Sequence, residues 1–124
     1  MKKHYSSNEV AKMFGVSLRQ LQWWDEHKLI PIRKNGHRRE FGPSDALLIG
    51  ILNELRKRGM SLQRVRKLFN APTRDALTDG KVIYATFGKS VRCWKDETQL
   101  IEFLCDATTP QIPLRLSDIS NRVK

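Results

Sequence analysis

Residues 6–41 read SSNEVAKMFGVSLRQLQWWDEHKLIPIRKNGHRREF, and within them two helix-start signals are followed by a run of cations. Ser6 and Glu9 stand three apart, as a capping box requires, and Tyr5 with Val10 has the spacing of a hydrophobic staple. Val10 and Phe14 then share a helix face. Gly15 is placed to stop that helix in a left-handed conformation. The signals repeat almost at once. Ser17 and Gln20 form a second box, and Val16 with Leu21 a second staple. A helix, a short turn with glycine and another helix make a helix-turn-helix.

The second helix divides by face. Leu21 and Trp24 point inward with Leu18 beside them, while Arg19, Gln20 and Trp23 lie on the other side. Arginine can fork onto guanine, and glutamine onto adenine, in a major groove. Either can instead hold a phosphate, which positions a protein without reading sequence. The next segment is Arg33-Lys34-Asn35-Gly36-His37-Arg38-Arg39. Asn35-Gly36 is a tight-turn signal, with Gly36 free to adopt positive φ. Strands this short and basic bury little and suit a wing along phosphates or in a minor groove. His37 reads as a polar wing residue, since no second metal ligand stands at suitable spacing.

Farther on, Ser44 is the expected cap of a third helix, with Asp45 at its positive end. Leu47, Leu48, Ile51, Leu52 and Leu55 form its apolar stripe. Arg56-Lys57-Arg58 and Gly59 close it. Ser61 starts a fourth helix with Leu62, Val65, Leu68 and Phe69 inward; Arg64, Arg66 and Lys67 read as a solvated face.

Charge agrees with this division. Residues 1–70 carry 15 Lys and Arg against 6 Asp and Glu, and residues 71–124 carry 8 against 7, out of a net +10. A one-sided positive field attracts polyanions, above all phosphate backbones. The chain has 124 residues, of which 40% are hydrophobic, enough for one compact core and a small appendage. No signal peptide and no membrane-spanning run is visible, so a reducing cytoplasm is expected. Cys93 and Cys105 form no C-x-x-C pair and read as buried structural thiols. No cofactor and no metal is expected. Neither a Ser/His/Asp set, a phosphate loop nor a paired-carboxylate site is present, so no enzyme is expected.

The ordered set EVAKMFGVSLRQLQWWDEHKLI, RKNGHRREF and LRKRGMSLQRVRKL resembles the DNA-binding domain of the MerR family of bacterial transcription regulators. The resemblance implies a winged helix-turn-helix that binds double-stranded promoter DNA as a homodimer, and it places RNA polymerase or another protein among the expected partners. It puts Ser17, Arg19, Gln20 and Trp23 on the recognition helix and Arg33, Lys34, His37, Arg38 and Arg39 on the wing. Family members often bend and untwist a promoter with an overlong spacer. Where the family commonly reads Leu-Arg-Tyr-Tyr-Glu, this chain has Leu21-Gln22-Trp23-Trp24-Asp25, and Phe41 stands where tyrosine is usual.

The expected fold is therefore mainly α: a winged helix-turn-helix of four helices and a β-hairpin over residues 1–70, then a small α+β module. Residues 71–80 read as a linker, because Pro72 and a polar stretch interrupt. Residues 81–124 read as ββαβ: strands at 81–87 and 91–94, a helix capped by Asp96, and a strand at 112–116. Family members continue instead into a long helix that forms an antiparallel coiled coil, and no sustained heptad follows here. The near-neutral module fits dimerisation or partner binding. Three functions compete: a sequence-specific regulator, an architectural accessory factor of excisionase or plasmid-partition type, and an adaptor that docks a partner through residues 71–124.

Overall fold

The computed structural model describes residues 4–123. Lys2, Lys3 and Lys124, counted in the charge above, lie outside the described residues. Both expected capping boxes form. Ser6 Oγ accepts from the Glu9 N–H at 3.2 Å while Glu9 Oε1 accepts from the Ser6 N–H at 3.0 Å, opening α1 (Ser7–Phe14). Gly15, at φ 66°, ends it in the left-handed conformation. Ser17 and Gln20 make the same pair at 3.0 and 3.1 Å at the start of α2 (Leu18–Glu26).

Leu21 and Trp24 are buried as expected, but Leu18 is half exposed. Leu18 is the first helical residue, and helix side chains lean toward the N-terminus, here away from Leu21 and Trp24. A two-stranded antiparallel hairpin follows, β1 (Arg33–Asn35) and β2 (Arg38–Glu40), with Lys34 opposite Arg39 and Asn35 opposite Arg38. The two turn residues are therefore Gly36 and His37, one position later than the Asn35-Gly36 turn expected. Gly36 has φ 67° and His37 does not share a positive φ, so the turn is not the type I′ that an Asn-Gly pair favours. Tyr5 exchanges two backbone hydrogen bonds with Phe41, of 2.7 and 2.9 Å, which ties the hairpin's end to the start of α1.

The third helix, α3 (Pro43–Lys57), begins two residues earlier than Ser44 as its cap would place it. Gly42 is the cap residue, Pro43 takes the first turn, and Asp45 Oδ2 accepts the Gly42 N–H at 3.1 Å. Burial holds the Asp45 carboxyl above the usual carboxylate range, although that hydrogen bond and the charges of Arg33 and His4 pull it down. α3 is the central helix: Ala46, Ile49, Ile51, Leu52 and Leu55 are fully buried. Its buried Asn53 donates Nδ2–H to the Phe14 carbonyl at 3.0 Å, satisfying an orphan acceptor at the end of α1. The fourth helix, α4 (Leu62–Leu68), is capped by Ser61, with Val65 and Leu68 inward.

Residues 71–80, read as a linker, instead contain α5 (Ala71–Thr78), capped by Asn70 and burying Leu77. Pro72 lies in the first turn, where a missing N–H costs nothing, so it starts this helix rather than breaking the chain. Then come β3 (Tyr84–Phe87), β4 (Val91–Trp94), α6 (Glu97–Asp106), β5 (Ile112–Arg115) and a short α7 (Leu116–Ser120), the last not expected. The strands form an antiparallel sheet in the order β4-β3-β5, with Phe87 between Val91 and Ile112. β3 starts later than the expected strand at 81–87. Thr86 is wholly buried and accepts the Trp94 indole N–H at 3.2 Å, and Trp94 packs against Phe103 of α6.

A single hydrophobic cluster runs through the molecule, from Val10, Leu21 and Ile49 to Leu77, Ala85, Phe87, Leu114, Leu116 and Ile119. Gly50 marks a tight point in it. A Cβ there would come within 2.5 Å of Ile119 Cγ2 and 2.6 Å of the Phe14 ring, so α1 and α7 both close on α3 where it has no side chain. Arg64 Nη2 also donates to the Gly88 carbonyl at 2.6 Å, pinning α4 to the β3–β4 turn. Cys93 is half-buried, and burial, aided by Asp79, raises its thiol pKa; Cys105 is exposed, contrary to expectation. No helix among the described residues is long and apolar enough to cross a membrane.

Candidate nucleic-acid interface

The outer face of α2 carries Ser17, Arg19, Gln20 and Trp23, all exposed. Gln20 uses its carbonyl oxygen on the Ser17 N–H, which orients its amide and leaves the NH2 end outside that bond. Trp23 is 39% exposed and stacks on His27, with ring centroids 3.7 Å apart and planes 20° apart. The His27 Nδ1 lies 2.8 Å from the Trp23 carbonyl. A carbonyl can only accept, so Nδ1 carries the hydrogen. The indole is thus held flat against an imidazole on the surface, although the sequence placed it there without a partner.

On the hairpin, Arg33, Lys34, His37 and Arg38 are exposed, His37 at the tip. Arg39 differs. Its Nε–H donates to Asp25 Oδ2 at 2.7 Å, and its side chain is 23% exposed. Lys34 Nζ lies 3.4 Å from the same oxygen. The structure therefore brings α2 and the hairpin together through Asp25, a residue that sequence reasoning passed over. Its partners lie 9 and 14 positions away, beyond any local pattern.

The other acids of this surface are also engaged. Glu26 Oε1 accepts from Gln22 Nε2 at 2.9 Å, and Glu40 Oε1 accepts from Asn35 Nδ2 at 3.0 Å. The face left to solvent carries Arg19, Arg33, Lys34, His37 and Arg38, with Glu26 exposed beside them. Two features beside it were not anticipated. An open groove between the start of α1 and the hairpin is lined by His4, Ser6, Asn8, His37 and Arg38. A second hollow, lined by Gln20, Trp23, Arg56 and Lys57, joins the surface of α2 to the end of α3. Arg66, read as part of a solvated face, donates Nη2 to the His27 carbonyl at 3.2 Å. Among the described residues, no three His, Cys, Asp or Glu gather as metal ligands.

Two capped helices across a glycine turn, followed by an antiparallel hairpin, define a helix-turn-helix fold. Residues 5–72, more than half of the chain, match the family model described as MerR HTH family regulatory protein. The chain belongs to the MerR HTH regulatory family, whose domain assigns it to DNA-binding transcription regulation. No curated protein matches it.

Proposed function

We propose that this chain is a sequence-specific transcription regulator that binds double-stranded DNA as a homodimer. In this reading α2 enters the major groove, where Arg19, Gln20 and Trp23 meet base edges or phosphates. The hairpin acts as a wing, with Arg33, Lys34, His37 and Arg38 along the backbone or minor groove. One observation carries the reading: the exposed cations Arg19, Arg33, Lys34 and Arg38 lie on joined elements and outnumber Glu26 and Glu40, while Asp25 is paired with Arg39 and Lys34. Such a surface presents net positive charge to a phosphate backbone. The proposed role is regulatory rather than enzymatic, in the cytoplasm, with RNA polymerase or another protein as the second partner.

A second reading, an architectural accessory factor, is favoured by a specific feature. After α5 the chain folds back as a short α+β module on the same core, and the longest described helix is the 15-residue α3. The long dimer helix usual in this family has no counterpart there. Footprinting across the organism's DNA separates the two. Protected promoter spacers support the regulator; protected recombination or partition sites support the accessory factor.

A further inference from the structure

Asp25 lies in the last turn of α2 and is followed by Glu26, with no basic residue in that turn. A carboxylate there faces the negative end of the helix dipole, where cations are favoured. It also puts an acid beside a surface meant for phosphates. Both effects are unfavourable unless the charge is answered elsewhere, and it is answered from the hairpin. Arg39 Nε lies 2.7 Å, and Lys34 Nζ 3.4 Å, from Asp25 Oδ2. The Asp25 side chain is 11% exposed, so solvent screens this contact less than an ordinary surface ion pair.

Lys34 and Arg39 are cross-strand partners, so a single carboxylate holds both strands at once. That hold matters because a two-stranded hairpin with strands of three residues is marginal on its own. Its other anchor, the Tyr5–Phe41 bridge, lies at the end away from the tip. The hydrogen bond from Arg39 uses Nε, so the terminal nitrogens are not consumed by it.

We propose that Asp25 is a positioning residue: it locks the hairpin to α2, so that groove contact and backbone contact are made in one fixed geometry. The proposal rests on the DNA-binding reading above. Asp25→Asn keeps size and an acceptor oxygen while removing the charge. Affinity is measured for a duplex selected by the unaltered chain from a random pool and for a scrambled duplex. Preference for the selected duplex should fall about tenfold, while affinity for the scrambled one stays level or rises. Equal gains on both duplexes, or an unchanged preference, would reduce Asp25 to a repulsive or idle charge and overturn the proposal.

Hydrogen exchange without DNA gives an independent readout. Amides of residues 33–40 should exchange faster in Asp25→Asn, with protection of Ile49 and Leu52 in α3 retained. A hairpin protected as before overturns the lock, even if the DNA-binding reading stands. Should Asp25→Asn lose α3 protection as well, Arg39→Gln breaks the same pair from the other side and must show the same two changes; a normal hairpin there overturns the proposal. If the unaltered chain prefers no duplex, the proposed function fails and this inference fails with it.

Discussion

Arg38 and Arg39 are neighbours in β2, and successive strand residues leave opposite faces. Arg38 is exposed, whereas Arg39 turns back onto Asp25. Their substitutions should therefore behave differently. Arg38→Ala should weaken binding to all sequences and reduce the slope of log affinity against log salt by about one. Arg39→Ala should change the slope less and lose sequence preference more. Salt titrations on matched duplexes check both, and equal slopes for the two variants would contradict the assignment. Arg19→Ala and Gln20→Ala should alter which sequences are preferred; uniform loss across sites would make them phosphate contacts. Away from the surface, Asn53→Leu leaves the Phe14 carbonyl without its donor. A loss of about 1–3 kcal/mol in denaturant unfolding is expected.

At the level of elements, what could be read in advance depended on the range of the signal. Capping boxes are three-residue contacts, so the starts of α1 and α2 were legible from Ser6, Glu9, Ser17 and Gln20 alone. α5 was hidden because proline signals both the interruption and the beginning of a helix, and only packing of Leu77 decides between them. α7 is five residues long and too short for a periodic pattern. Its place is set by Ile119 meeting α3 at Gly50, a contact between residues far apart in sequence. The Asp25–Arg39 pair was illegible for the same reason. Two glycines separate space from strain. Gly50→Ala must push the Phe14 ring and Ile119 aside, at a cost of about 1–3 kcal/mol. Gly15→Ala meets no atom within 4 Å, yet puts a side chain at φ 66°, at a cost of about 1–2 kcal/mol. Asp45, at the head of α3, has a folded-state pKa raised by burial. Its contribution to stability is therefore fully present below the unfolded-state value and lost as pH rises through the folded one. Asp45→Asn should flatten that acid limb of the stability curve.

Over the whole molecule, the charged half and the near-neutral half share one core. Composition separated them by charge, but charge reports on surfaces and says little about which apolar faces meet. Because Phe87, Leu114, Leu116 and Ile119 lie in the cluster that also holds Val10 and Leu21, the chain should unfold in one cooperative transition. Calorimetry showing two separate transitions would contradict a shared core. Removal of residues 81–124 should uncover part of that core and lower stability, so the oligomeric state is best measured on the intact chain. The central claim, sequence-specific grip by α2 and a locked hairpin, is tested most directly by selecting bound duplexes from a random pool with the intact protein. A recurring motif, lost on Arg19→Ala and blurred on Asp25→Asn, is the predicted result. Retention of duplexes without any common sequence would contradict it.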